Sequence, residues 1–392
     1  MTPRRARVGP VALAALAALV ACAVAAEADG QAVDTSVGSE YGQYIDTDHV
    51  FVETPSVHGS LVNPTAGWAA SGQYLVDVVS AASADIVSTA SRNWNEVRQE
   101  GSVDASYKPG NLGAMINGSV SSEPDYLSWA AGGALTQDLR DKNVTLLLGY
   151  GHGHDVAGRT GTPFSVFSRV LDRDALKAGV TLVLDPATIA LLLADLVIEN
   201  GDPSKPYRYI PLFAPGTSVP RGATVDLVNS LRVAERPLEQ LPLSRQRYAV
   251  TGRLGHRYRR ITLRLEERLY ADSWALLATS TDARLLFDLG TRVETGPHLR
   301  VHGQSGVSFW RRAYTLNGPF DFPALRTGDR ELGPLFNVTA GWTLDLGLGS
   351  ADLPRSWLLG LHLDATSTQY LDDLYLTRRI ATLGGVSLEA QL

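Results

Sequence analysis

From Trp68 onward, apolar residues return at every second position. Trp68, Ala70, Gly72, Tyr74, Val76 and Val78 share one face of an extended segment, with Ser71, Gln73 and Asp77 on the other. Successive side chains of a strand point to opposite sides, so the segment reads as a strand with one apolar and one polar wall. The rhythm repeats down the chain. Val97, Val103, Ala105 and Tyr107 alternate with Arg92, Glu96, Arg98, Glu100 and Asp104. After a turn at Pro109-Gly110-Asn111, Leu112, Ala114, Ile116 and Val120 alternate with Asn117, Ser119 and Ser121. In the second half, Tyr248, Val250, Leu254 and Tyr258 face away from Arg247, Thr251, Arg253 and Arg257. Ile261, Leu263 and Leu265 then oppose Arg264, Glu266 and Arg268, and Leu299, Val301, Val307 and Phe309 oppose Arg300, His302 and Gln304. Phe336–Leu344, Trp357–Leu363 and a last segment through Val386, Leu388 and Ala390 complete the series.

The clearest of these strands run to roughly ten residues, against ~5–6 in ordinary globular proteins. They succeed one another as hairpins with almost no helical pattern, and Tyr107, Trp129, Tyr150 and Trp357 fall near strand ends, where interfacial aromatic girdles belong. A soluble β-sandwich also alternates, but strand length and girdles favour an all-β transmembrane barrel, antiparallel and up-and-down. In hydrocarbon every backbone group must be paired, which forces closure. Single-chain bacterial barrels have even strand numbers. A weak strand near Val37–Ile45 ahead of His49–His58 makes about sixteen; leaving His49–His58 outside the wall makes about fourteen. Long connections are expected near 80–91, 153–173, 200–244 and 312–331, on the extracellular side. Tight turns at Pro109-Gly110, Asp185-Pro186 and Arg259-Arg260 belong on the periplasmic side, with Trp68–Val79 running outward.

Composition narrows the setting. Arg4, Arg5 and Arg7 precede an apolar run from Val8 to Val24, and Val24-Ala25-Ala26 before Glu27 makes a signal-peptidase pattern, so residues 1–26 read as a cleaved signal peptide. Leu19-Val20-Ala21-Cys22 offers a lipoprotein box as the alternative. Cys22 is the single cysteine, which excludes disulfide scaffolds, thiolate metal sites and cysteine nucleophiles in the mature chain. A net charge of −6 points to no nucleic-acid partner.

The richest candidate chemistry lies on the polar faces. Arg247, Arg253, Arg257, Arg264 and Arg268, with Glu266 among them, face Glu96, Glu100 and Asp104 on a strand about seven positions around the barrel. Opposed rows of guanidinium and carboxylate would set up a transverse field that selects ions and polar solutes. The alternative is local pairing within a plugged interior, since unpaired buried charge is costly. His152 and His154, beside Asp155, share a face and form a weak candidate metal pair; His298 and His302 share another without a third ligand. No Gly-x-Ser-x-Gly sequence marks a nucleophile, so no enzyme activity and no cofactor are expected. The Pro-rich stretch Glu199–Gln240, with Tyr207-Arg208-Tyr209, is long enough to enter the mouth as a plug or receptor surface.

Four stretches carry a resemblance. Asp77-Val78-Val79-Ser80-Ala81-Ala82-Ser83, Glu123-Pro124-Asp125-Tyr126-Leu127-Ser128, Lys205-Pro206-Tyr207-Arg208-Tyr209 and Tyr270-Ala271-Asp272-Ser273-Trp274 resemble an uncharacterised family of Gram-negative outer-membrane barrels known by a domain-of-unknown-function label. The resemblance spans nearly the whole mature chain and implies barrel architecture in the bacterial outer membrane. It supplies no catalytic residue and no substrate. The expected partners are outer-membrane lipid and lipopolysaccharide, and the barrel-assembly machinery during biogenesis. The expected function is a passive or gated channel for small polar solutes. A closed barrel acting as receptor, anchor or envelope-complex component is the alternative, and a barrel hydrolase a weaker one.

Overall fold

The computed structural model describes residues 33–81, 94–318, 321–350, 353 and 356–392. The leader at 1–26, Cys22, Arg92 and most of the connection expected near 80–91 lie outside them.

The alternating segments form long antiparallel strands. They are β1 (Asp34–Asp46), β2 (Val50–Asn63), β3 (Trp68–Ala81), β4 (Trp94–Tyr107), β5 (Leu112–Glu123), β6 (Tyr126–Leu139), β7 (Val144–Ala157), β8 (Arg169–Asp185) and β9 (Thr188–Gly201). After a two-residue strand β10 (Leu212–Phe213), the wall resumes with β11 (Ser244–Tyr258), β12 (Ile261–Asp272), β13 (Leu277–Asp288) and β14 (Val293–Gln304). A second short strand, β15 (Tyr314–Thr315), precedes β16 (Leu335–Gly347), β17 (Trp357–Tyr370) and β18 (Arg378–Gln391). Each wall strand pairs with its neighbour, and β1 pairs with β18, from Ser36 against Gln391 to Asp46 against Ala381. The sheet therefore closes into a barrel of sixteen strands and has no edge. The weak segment Val37–Ile45 lies within β1 and Val50–His58 within β2, with His49 in the turn before it, so the fourteen-strand alternative fails.

Which face is inside follows from contacts that skip a strand, since these require the concave side. Asp364 on β17 reaches over Gly341 on β16 to His298 on β14, Nδ1 to Oδ1 3.1 Å. A Cβ at Gly341 would stand 1.6 Å from Asp364 Oδ1, so only glycine leaves the passage. Arg268 on β12 likewise spans β11 to Asp195 on β9. The polar wall is the lumen, and the exposed Leu148, Leu192, Leu269, Leu363 and Trp342 form the outer belt.

The two ends differ. Connections 64–67, 108–111, 140–143, 186–187 and 259–260 are short and lie at one end, where the turns at Pro109-Gly110, Asp185-Pro186 and Arg259-Arg260 were expected. At the other end, 202–243 and the described residues of 305–334 fold together as a cap over the mouth. The expected long connections shift at their borders. β7 continues to Ala157 and β8 begins at Arg169, so 153–173 shrinks to 158–168; 312–331 widens to 305–334. The strand read through Val307 and Phe309 stops at Gln304. Val307 is instead buried in the cap with Leu241, Trp274, Leu276, Trp310 and Leu332, and Phe309 packs against that group. Two apolar residues one apart fit a strand face and a small core equally well, so the pattern extended too far.

Within the cap, β10 and β15 pair in parallel, and helix α1 (Val225–Leu231) starts at Thr224, whose Oγ1 accepts from Leu227 N at 3.2 Å. Phe213, Val219, Ala223, Val228 and Leu374 form one small core, and Ile210, Leu212 and Tyr314 another.

Candidate functional site

The lumen is built from rungs of inward-facing residues. All nine candidates from the sequence face it, with β4 and β12 seven strands apart around the wall. The rows do not confront each other as free charges, because most pair locally. Arg247 Nη2 meets Glu199 Oε2 at 2.9 Å, Arg253 pairs with Glu266, Arg257 with Asp288, and Arg268 with Asp195 at 3.1 Å and Thr251 Oγ1 at 2.9 Å. Glu100 pairs with Arg98, which also approaches Asp77 at 3.7 Å. Arg264 and Asp104 stand exposed with no ion pair among the described residues. Arg264 lies in register with Arg284, and Arg300 one rung above is exposed and likewise without an ion pair there. The alternation had already placed Arg300 on the polar face; its lack of a partner becomes visible only with the barrel closed.

The histidines resolve into separate roles. His152 and His154 face outward, beside Trp129, and each is taken by its own aspartate on β8: His152 Nδ1 to Asp174 Oδ1 at 3.0 Å, His154 Nδ1 to Asp172 Oδ1 at 2.7 Å. Each ring is thus engaged at Nδ1 by a carboxylate of its own. His298 is buried in the lumen wall between Asp282 (2.7 Å) and Asp364. His302 Nδ1 lies 2.7 Å from Ser280 Oγ, while its Nε2 meets Gln304 Oε1 at 3.3 Å rather than a carboxylate.

At the mouth, Glu239 anchors the cap. It is 1% exposed and accepts from Lys205 N (2.9 Å), Thr327 Oγ1 (2.6 Å) and Arg208 Nη1 (3.1 Å). Arg208 also meets Asp329 Oδ2 at 3.0 Å. Burial pushes the Asp329 carboxyl upward, but the Arg208 guanidinium outweighs it and holds the group below its ordinary value. A carboxyl depressed in the folded state contributes stability above its unfolded pKa, near ~4, and loses it as pH falls through the folded value. The cap should therefore loosen below about pH 4, seen as a change in emission from buried Trp274 and Trp310 while the sheet's far-UV signal persists. An unchanged signal to full carboxylate protonation would show that this pair does not hold the cap.

Glu96, Glu123 and Asp125 converge on the rim, their carboxylate oxygens within 4.8 Å of one another. Glu96 lies beyond Gln99–Ser122, the last rung that β4 shares with β5, and pairs with Val79 of β3 at the end of the wall. The three border a cavity of about 640 Å³ between rim and cap, which Tyr126, Tyr207, Trp310 and Arg311 also line. Asp125 Oδ2 accepts from Tyr207 Oη at 2.6 Å and from Thr160 Oγ1 at 2.7 Å, joining the cap to the rim. Sequence reading named Glu96 for the lumen but missed Glu123, Asp125 and Glu239. The available signal was that Glu123-Pro124-Asp125 and Lys205–Tyr209 both belong to the stretches that carry the resemblance, and all four stretches reach this end of the barrel.

Among solved structures, the chain is similar to one described as a bacterial polysaccharide outer membrane secretin, at 9% identity and a TM-score of 0.44, covering 92% of this chain and 99% of that one. It is similar to the outer membrane protein opdK from Pseudomonas aeruginosa at 8% identity and a TM-score of 0.44, covering 92% and 99%. The siderophore receptor PirA from Pseudomonas aeruginosa aligns at 11% identity and a TM-score of 0.42, covering 90% of this chain and 61% of that one. No curated protein matches. A family described as a protein of unknown function, DUF3570, matches residues 88–353. That match spans more than half of the chain, and the protein belongs to the DUF3570 family.

Proposed function

We propose that this barrel is a capped channel of the bacterial outer membrane for small polar solutes, with the unpaired lumen arginines as its selectivity element. One observation carries the reading. Lumen-facing Asp104, Asn117, Arg264, Arg284 and Arg300 remain solvent-exposed although they point into a closed barrel, so the interior below the cap is wet rather than filled. The free charge on one wall is cationic, at Arg264 and Arg300, with Asp104 across the lumen, a distribution that favours anionic solutes. In this setting lipid and lipopolysaccharide cover the outer belt, the assembly machinery receives the chain, and the long-loop end faces outward.

The cap supports a second reading. Leu212 and Phe213 are fully buried and Glu239 nearly so, a degree of order suited to a closed barrel that displays a receptor surface. Folded protein in planar bilayers separates the two: the channel reading expects discrete conductance steps, more frequent when the cap is loosened. No conductance from either the native chain or a cap-loosened variant removes it.

A further inference from the structure

We propose that the cavity between rim and cap binds short peptides with both ends free, the carboxylate on Arg311 of the cap and the ammonium at the rim. Its volume of about 640 Å³ falls within the ~300–1,000 Å³ of small-molecule sites, which are largely apolar enclosures with a few placed polar groups. Tyr126, Tyr207 and Trp310 line it with rings. A space of that size takes about three extended residues at ~3.3–3.6 Å each. Its charged residues are of both signs and enter from different arcs of the barrel. Glu123 ends β5, and Asp125 follows in the turn to β6. Arg311 arrives with the 305–334 arm, which is tied to the β17–β18 connection. There Trp310 Nε1 donates to Asp372 O at 3.0 Å, and Arg312 Nη1 meets Asp372 Oδ1 at 2.9 Å. The pairs β5–β6 and β17–β18 lie five to seven strands apart around the wall.

Arg311 is the cation left for a ligand. Its Nη1 donates to the carbonyls of Ser308 (3.3 Å) and Trp310 (2.6 Å), and it has no ion pair among the described residues. Carbonyls leave the guanidinium its charge and its remaining donors, which suit an incoming carboxylate. The other arginines of the cavity are engaged: Arg208 by Glu239 and Asp329, Arg330 by Asp48, and Arg312 by Asp372. At the rim, Lys205 Nζ stands over the Tyr126 ring, 5.9 Å from its centre, so that ring face is open to an ammonium. Opposite charges free to meet would pair; here the cavity holds them apart, and a ligand charged at both ends bridges them. The same polarity continues below the cap, where Asp104 on β4 faces Arg264 and Arg300 across the lumen. A peptide would keep its orientation on entry, a step that rests on the channel reading. Binding at the mouth does not rest on it.

The test is titration calorimetry on the folded full chain in detergent, with the tripeptide alanyl-phenylalanyl-alanine as the probe. The peptide is supplied with both ends free, with the amino end acetylated, or with the carboxyl end amidated. No current is read, so a failure to bind and a failure to conduct are separate results. Saturable binding of the free peptide is expected, with each blocked form weaker by roughly tenfold or more, the scale of one hydrogen bond to a charged group. Arg311 is exposed and bonded to backbone carbonyls, so Arg311→Gln leaves the fold intact. That variant should weaken the free and acetylated peptides by roughly tenfold and leave the amidated one unchanged, a split that a loosened cap would not produce. Asp141→Asn, in a turn at the opposite end, should bind as the native chain does. Absence of saturable heat with the free peptide overturns the proposal. A blocked form that binds as tightly as the free peptide overturns it too, as does an Arg311→Gln protein that binds all three as the native chain does.

Discussion

Replacing Glu239 with alanine should loosen the cap by about 3–5 kcal/mol, the usual cost of removing one partner from a buried ion pair. The carboxylate is almost fully enclosed, and its loss strands the Lys205 amide, the Thr327 hydroxyl and one side of the Arg208 guanidinium together. Arg208 keeps Asp329, which is in contact with solvent, so the lower part of that range is the better expectation. Hydrogen exchange across 205–241 should accelerate while the strands stay protected, since the barrel ladder does not pass through Glu239. In bilayers the same variant should open more often. Unaltered exchange in the cap would mean that its small apolar cores, not the Glu239 network, hold it down.

Reversing the charge at Arg264 should produce the largest change in ion preference. Arg264 is exposed to the lumen and has no ion pair among the described residues, so its field acts on the solute path rather than on a neighbouring carboxylate. A unit charge at ~4 Å in water is worth about 1 kcal/mol. Arg264→Glu, a change of two charges, should thus shift the anion-to-cation permeability ratio toward cations by at least roughly tenfold. Asp104→Asn, across the lumen, should move the ratio the other way and less. Neutralising Arg268 instead leaves Asp195 bare, so its effect combines lost positive charge with a newly freed negative one. A ratio indifferent to Arg264→Glu excludes this wall as the filter, whatever the conductance.

Several features were legible without coordinates. Alternation located nearly every wall strand and assigned inner and outer faces correctly on β3, β4, β11 and β12. The Pro-rich stretch between β9 and β11 read as a segment able to enter the mouth, and it does form half of the cap. Misreadings arose where one local pattern serves two structures. Val307 and Phe309 imitated a strand and are core residues of the cap.

The two-residue alternation of apolar and polar side chains, and the turn chemistry between runs, were enough to specify a wall, its inner and outer surfaces and the end that carries the long connections. These are local properties, set by the geometry of one strand and its hairpin. Closure decided the rest: that Arg268 spans β11 to Asp195 while Arg264 remains unpaired, that Glu96 meets Glu123 and Asp125, and that Glu239 ties two distant loops together. Such pairings depend on curvature and on loops returning over the mouth, distances that no spacing along the chain encodes.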